Sequence, residues 1–209
     1  MSETRRLPRS FYDRAAAEVA PDLLGRIVVR AHLHGTRITG RIVETEAYAE
    51  DDPASHAFRG PTARNSTMFG PPGHLYVYFV YGMHFCMNVV SGRIGVGTAV
   101  LLRAAEPMEG LREMRVRRGR EQVRELCSGP ARLCQALGID RSLNGTDLVS
   151  DGDVWIEEGS PVRPDAIATG PRVGIRVGLE HDRRYRIRDD PFVSRGRPAI
   201  ASRSATSDP

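Results

Sequence analysis

Two glutamates in the first quarter of the chain have the type and spacing that acid–base chemistry requires. Glu44 and Glu46 lie two positions apart in an alternating, β-branched run, and a polar segment at residues 49–74 follows. In a strand this spacing places both carboxylates on one face. A carboxylate at a strand end beside a long loop is well placed to act as a general base. Two other interpretations stay open, namely surface glutamates and a metal site completed by Asp51 or Asp52.

A cluster of tyrosines is the second chemical signal. Tyr76, Tyr78 and Tyr81 lie within six residues, in a chain with six tyrosines in total. Tyr76 and Tyr78 share one face of a strand, and Tyr81 precedes a tight turn at Gly82-Met83. Stacking on aromatic rings contributes about 1–3 kcal/mol per nucleic-acid base, and an aromatic at a turn tip can wedge into a duplex. The pattern indicates stacking platforms and an exposed aromatic tip.

The composition excludes several classes of protein. All thirty basic residues are arginine, so no lysine is available to form a Schiff base, to bind phosphate in a P-loop or to act as a base. Cys86, Cys127 and Cys134 form no CxxC pair, which argues against a disulfide framework and a cysteine-rich zinc site and favours the reducing cytosol. No apolar run approaches the roughly 18 residues of a membrane span, and the N-terminus has no signal-peptide pattern.

The positive charge is concentrated in two segments. The formal net charge is +4, and residues 112–124 and 172–188 each carry six arginines against two acidic residues. Stripes of arginine suit a polyanion, because each neutralised phosphate releases counterions. The alternative is a solvated helix face with internal pairs such as Arg117 with Glu121.

A mixture of strands and helices has to position these residues. The first helix is expected to have Ser10 as its N-cap, with Pro21 ending or restarting it. Glu106-Pro107 is expected to open a helical region at 108–138, broken at 127–130. Strands are predicted at residues 26–30, 36–46, 75–81, 82–90, 98–104, 154–156, 172–177 and 185–188. We expect one α+β domain at residues 1–195, with a curved, mainly antiparallel β-sheet surrounded by helices, and a disordered tail at 196–209.

Several runs of sequence resemble one known family, the alkyladenine (3-methyladenine) DNA glycosylases. The runs are ETEAY at 44–48, RN at 64–65 with MF at 68–69, LYVY at 75–78, YGM at 81–83, CMN at 86–88, VLLRA at 100–104 with EP at 106–107, LCSGP at 126–130 and RVG at 172–174. They cover residues 8 to 194 in the family's order. The resemblance implies excision of alkylated purines, and in many members of hypoxanthine, from duplex DNA by base flipping.

The resemblance also implies a role for individual residues. Glu46 corresponds to the base that activates water, with Arg103 and the carbonyl of Val173 helping to hold that water. The flipped base is then contacted by Tyr48, His56 and Tyr78, and Asn88 stands where the family discriminates against the amino group of guanine. Tyr81 fills the vacated stack, with Met83 beside it. No metal or other cofactor is implied.

The chemistry agrees with these roles. Hydrolysis of an N-glycosidic bond passes through an oxocarbenium-like state that a carboxylate stabilises, and a tyrosine pocket favours a cationic methylated purine by about 0.5–2 kcal/mol. Hypoxanthine is neutral and needs a proton donor. Because there is no lysine, we expect a monofunctional enzyme that leaves an abasic site. The expected partner is double-stranded DNA with damaged purines, bound by a cytoplasmic monomer. A non-catalytic nucleic-acid-binding protein and a metal-dependent nuclease are the rival hypotheses.

Overall fold

The structure is a computed structural model that describes residues 6–31, 35–80, 82–150 and 152–196. Its helices are α1 (Arg9–Tyr12), α2 (Ala16–Asp22), α3 (Leu111–Arg118) and α4 (Pro130–Leu137). Its strands are β1 (Ile27–Ala31), β2 (Arg37–Tyr48), β3 (Leu75–Val80), β4 (His84–Val90), β5 (Ala99–Pro107), β6 (Val154–Glu157), β7 (Ile167–Gly170) and β8 (Arg184–Ile187). Short 3₁₀ turns occur at Ser66–Phe69, Val123–Glu125, Arg141–Leu143 and Pro164–Ala166. The predicted α+β class is confirmed.

The strands form one curved antiparallel sheet with β2 at its centre. The order is β3-β4-β5-β2-β1-β6, and β8 pairs with both β2 and β7. The long strand β2 pairs with β5 along most of its length, with β1 through its first half and with β8 at residues 44–46. Register shifts on either side of Glu44 mark a bulge in the pairing with β5. Bulges bend a strand and redirect its side chains, and they are common beside active sites.

One large hydrophobic core lies between the sheet and the helices. It contains apolar side chains of α2, α3 and α4 packed against β1, β2, β4 and β5. A smaller cluster of Ala57, Met68, Tyr76, Val90 and Ala99 attaches the polar segment 49–74 to the sheet. Gly97 is required there, because a Cβ atom on it would lie 2.4 Å from the Cβ of Ala57. The long connection is therefore a packed element of the structure.

Three sequence predictions about helices are wrong in detail. Ser10 is not an N-cap, since α1 already begins at Arg9 and no side-chain hydrogen bond caps it. Pro21 lies inside α2, whose start is fixed by a bond from the Ala15 amide to the carboxylate of Glu18. Residues 106 and 107 end β5 and do not open a helix, because they pair with residues 41 and 40 of β2. The helical region that follows is two short helices joined through a 3₁₀ turn.

The predicted strand at 172–177 is also wrong. This segment is irregular, although Val173, Ile175 and Val177 alternate as in a strand. Gly174 has a φ of +79° and Gly178 a φ of +66°, a left-handed conformation that interrupts strand geometry. The real strand β7 lies just before this segment and was not predicted, since it is short and ends in glycine.

Two further expectations concern the C-terminal tail and membrane-spanning segments. Of the predicted tail at 196–209, only Gly196 belongs to the described residues. No helix in the described part of the chain has the length and apolar character needed to cross a membrane.

Candidate active site

A cleft of about 390 Å³ opens beside the C-terminal end of β2. Strands β2 to β5, the loop after β2 and the irregular segment 173–175 form its walls. It brings together predicted site residues from six separate regions of the chain, namely Glu46, Tyr48, His56, Tyr78, Asn88, Arg103 and Val173. Residues up to 127 positions apart in sequence thus meet in one concave site.

Glu46 lies at the floor of this cleft and is fully buried. Its Oε1 accepts a hydrogen bond from the Val173 amide at 2.8 Å, and its Oε2 accepts one from the Tyr48 hydroxyl at 2.9 Å. The Nη1 atom of Arg103 is 3.4 Å from Oε1. Burial raises the pKa of Glu46, and Arg103, the Val173 amide and Tyr48 only partly offset this effect. The interpretation of Glu46 as a surface glutamate is therefore wrong, and its raised pKa is typical of a functional carboxylate.

Glu44 is also fully buried, which excludes a surface position for it as well. Its Oε1 accepts from Nε of Arg184 at 2.6 Å and lies 3.3 Å from Nε of Arg103. Its Oε2 accepts from the Ser194 amide at 2.8 Å. Since Arg103 contacts both Glu44 and Glu46, the prediction that the two carboxylates share a face is confirmed.

Three of the carboxylates proposed as metal ligands, Glu44, Glu46 and Asp52, are engaged by arginine. Asp52 is buried and pairs with Arg172 and Arg183, whereas Glu44 pairs with Arg184 and Arg103. Within the ranges that the structure describes, no group of three or more His, Cys, Asp or Glu side chains is arranged to hold a metal ion. The donor set predicted for a metal-dependent nuclease is therefore not assembled.

Arg172 supports the site from behind its lining, a role that the sequence did not reveal. Its side chain is fully buried, forms a bidentate ion pair with Asp52, and donates to the Ala47 carbonyl at 3.0 Å. Its guanidinium carbon lies 4.7 Å from the centroid of the Tyr48 ring. Although burial opposes ionisation of Asp52, its bonds to Arg172 and the Ala54 amide hold the pKa of Asp52 below its usual value. Arg172 thus joins the loop after β2 to the segment at 172–178 and supports Tyr48.

The aromatic wall consists of His56, Tyr76 and Tyr78. The His56 ring lies edge-on to Tyr78 at 4.6 Å between centroids, and its Nδ1 is 3.1 Å from the Tyr76 hydroxyl oxygen. Tyr76 is buried in the smaller core, so it is not a free stacking platform, and burial raises its pKa to about 12. Burial, with a smaller effect of Arg64, lowers the pKa of His56, which favours the neutral imidazole at neutral pH.

Two further predicted residues have definite positions. Asn88 is buried on β4 and its Nδ2 donates to the Tyr76 carbonyl at 3.1 Å, which fixes the amide at the cleft wall. Met83 lies in the turn between β3 and β4 and is 70% exposed. Tyr81, the predicted wedge, lies outside the described residues.

Several arginines in the two basic segments are engaged by other groups of the protein. In 172–188, Arg172 and Arg183 bind Asp52 while Arg184 binds Glu44. In 112–124, Arg118 donates to the Leu126 carbonyl, and Arg115 lies 3.7 Å from Glu121. The density of arginine in the sequence therefore overstates the charge that these segments offer to a polyanion.

Comparison with known proteins gives a consistent result. The profile of the methylpurine-DNA glycosylase family matches residues 10–191. An inferred 3-methyladenine DNA glycosylase of Carboxydothermus hydrogenoformans is 49% identical over 90% of this chain and 98% of its own. A protein of Burkholderia lata with the same name is 51% identical over 90% of each chain. One of Streptomyces avermitilis is 50% identical, also over 90% of each.

Proposed function

This chain belongs to the methylpurine-DNA glycosylase family, a family of N-glycosyl hydrolases, and from that premise we propose that it is a monofunctional DNA glycosylase of base excision repair. It flips an alkylated purine of the 3-methyladenine type out of duplex DNA, hydrolyses the N-glycosidic bond and leaves an abasic site. Hypoxanthine is a second substrate. The observation that carries the proposal is the buried Glu46 carboxylate at the floor of an open cleft.

Glu46 is the base that activates water. Each carboxylate oxygen can accept about two hydrogen bonds. Oε1 accepts from the Val173 amide and also faces Arg103, whereas Oε2 accepts only from Tyr48 among the described residues. One acceptor position on Oε2 is thus available for the attacking water, and Arg103 and the Val173 carbonyl help to hold that water. The same carboxylate stabilises the positive charge that develops on the sugar.

The aromatic side chains that line the cleft recognise the flipped base. Tyr48, His56 and Tyr78 line one cleft and offer ring faces and polar edges to a purine. A methylated purine such as 3-methyladenine carries a positive charge, which is attracted to tyrosine rings and allows the base to leave without a proton from the enzyme. Asn88, fixed by its bond to the Tyr76 carbonyl, discriminates against bases that carry the 2-amino group of guanine.

The turn between β3 and β4 enters the duplex. Met83 is exposed in this turn, and we assign Tyr81 to the gap left by the flipped nucleotide. Arg176 is exposed next to Ile175 at the cleft wall, has no ion pair or hydrogen bond within the described ranges, and is a candidate phosphate contact. The enzyme acts as a cytoplasmic monomer associated with DNA and needs no cofactor.

The test is base release in the presence of a chelator. Single-turnover reactions would use duplexes carrying 3-methyladenine, 7-methylguanine or hypoxanthine, with free base measured by chromatography and abasic sites by alkaline cleavage. Free base, with a strand that breaks only after alkali, supports the proposal. Strand breakage without alkali contradicts a monofunctional enzyme. Activity that requires a divalent metal supports a nuclease, and tight binding without release supports a non-catalytic binding protein.

A further inference from the structure

Glu44 does not line the cleft, but it contacts Arg103, which does. It precedes Glu46 by two positions on β2 and is fully buried. Its two oxygens are held by Arg184 at 2.6 Å and by the Ser194 amide at 2.8 Å. Because both partners come from the C-terminal part of the chain, Glu44 connects β2 to β8 and to the segment at residues 194–196.

Arg103 lies between the two carboxylates. Its Nε is 3.3 Å from Glu44 and its Nη1 is 3.4 Å from Glu46. Its Nε is buried and makes no hydrogen bond within the described residues. The guanidinium group is therefore held by its attraction to two negative charges and by packing. If one of these charges were removed, the guanidinium group would move toward the carboxylate that remains.

The segment that Glu44 holds also covers this arginine. A Cβ atom on Gly196 would lie 3.0 Å from Nη2 of Arg103 and 2.6 Å from Cγ1 of Val173. The backbone at residue 196 thus packs closely against two residues of the cleft. Its approach is fixed from one side by the bond between the Ser194 amide and Glu44.

We infer that Glu44 is a positioning residue for the reaction: it shares Arg103 with Glu46 and holds the 194–196 segment over Arg103 and Val173. This inference rests on the proposed function, because it concerns the water that Glu46 activates. Because Arg103 is shared, it does not pair with Glu46 alone and lowers the pKa of Glu46 less. The 194–196 segment keeps Arg103 within reach of the water.

The electrostatic consequence has a definite sign. The charged and titratable groups facing Glu46 are Arg103 from β5, Glu44 and Tyr48 from β2, and Tyr78 and Cys86 from β3 and β4. Burial is the main influence that raises the pKa of Glu46, and Glu44 adds to it. Without the charge on Glu44, Arg103 pairs with Glu46 alone, so the pKa of Glu46 falls and its carboxylate becomes a weaker base.

The experiment compares Glu44→Gln with Glu157→Gln. Glu157 is a matched control, since it is 8% exposed and pairs with Arg37, but lies on β6 and does not line the cleft. Single-turnover release of 7-methylguanine from a duplex is measured against pH, because a cationic base needs no proton and the acid limb then reports the carboxylate. We expect the acid limb of Glu44→Gln to move to lower pH by about half a unit and its plateau to fall about tenfold, because the groups that hold the water are displaced; neither change is expected in Glu157→Gln.

Each outcome decides one claim. An acid limb of Glu44→Gln that stays in place or moves to higher pH overturns the inference while leaving the proposed function intact. Absence of release by the wild-type enzyme overturns the proposed function itself. Should Glu44→Gln fail to fold, Glu44→Asp replaces it: the charge is kept and the reach is shortened. For this variant we expect a lowered plateau with the acid limb near its wild-type position. If Glu44→Asp released the base at the wild-type rate at every pH, the inference would be overturned.

Discussion

Removing one hydroxyl group should shift the pH dependence of the reaction. The Tyr48 hydroxyl donates a hydrogen bond of 2.9 Å to Oε2 of Glu46. The substitution Tyr48→Phe deletes this donor and keeps the ring that Arg172 supports from 4.7 Å. Burial raises the pKa of Glu46 and the Tyr48 bond lowers it, so the substitution raises it further. A base must be ionised to act, and the acid limb therefore moves to higher pH.

The size of the shift follows from the strength of the bond. A hydrogen bond to a charged group contributes about 1.5–3 kcal/mol net, and one pKa unit corresponds to about 1.4 kcal/mol. Water that enters the cleft replaces part of the lost bond, so we expect a shift of about one unit. Below the acid limb the rate should fall about tenfold, since the ionised fraction of the base falls by that factor. Above it the rate should change much less.

The assay is single-turnover release of 7-methylguanine from a duplex across the acid range. Tyr78→Phe is the matched control, because it removes a hydroxyl group that belongs to the same cleft but does not bond to Glu46. Its acid limb should coincide with that of the wild type, whatever its plateau. An acid limb of Tyr48→Phe that is unmoved, or displaced to lower pH, would refute the reasoning about Glu46.

Three further predictions each concern the replacement of one residue. Arg172→Met leaves the buried Asp52 without its main partner, so the free energy of unfolding near pH 7 should fall by about 3–5 kcal/mol, as measured by chemical denaturation. This loss should become smaller as the pH falls through the depressed pKa of Asp52, because the protonated carboxyl group no longer needs the partner. Arg176→Gln should reduce the slope of log affinity against log salt by about one, measured on an abasic-site duplex; an unchanged slope would exclude a phosphate contact. Asn88→Ala should raise the release of undamaged guanine relative to 7-methylguanine. An unchanged ratio would show that Asn88 does not discriminate against guanine.

Local pattern was sufficient to predict the central strand and the position of Glu46. Alternation along residues 36–46 predicts a strand, and the spacing of Glu44 and Glu46 predicts a shared face, which their common contact with Arg103 confirms. The burial of both carboxylates was not predictable in this way. It depends on β8, whose Arg184 supplies the compensating charge from the far end of the chain.

Contacts between distant segments account for most of what the sequence did not reveal. Arg172 lies in a basic stripe and resembles a surface cation, but its partner Asp52 is 120 positions away. The helix expected at Glu106-Pro107 follows a general preference for proline in a first turn, which pairing with β2 overrides. The motifs that carry the resemblance indicate the proposed site residues, while the ion pairs that hold them appear only in the fold.

The most direct test of the central claim is single-turnover release of 7-methylguanine by Glu46→Gln, with affinity for an abasic-site duplex measured in parallel. The substitution preserves the shape of the side chain and removes the base. The account predicts a loss of rate of at least about 100-fold, with duplex affinity close to that of the wild type. Release at the wild-type rate by a variant that binds normally would contradict the assignment of Glu46 as the group that activates water.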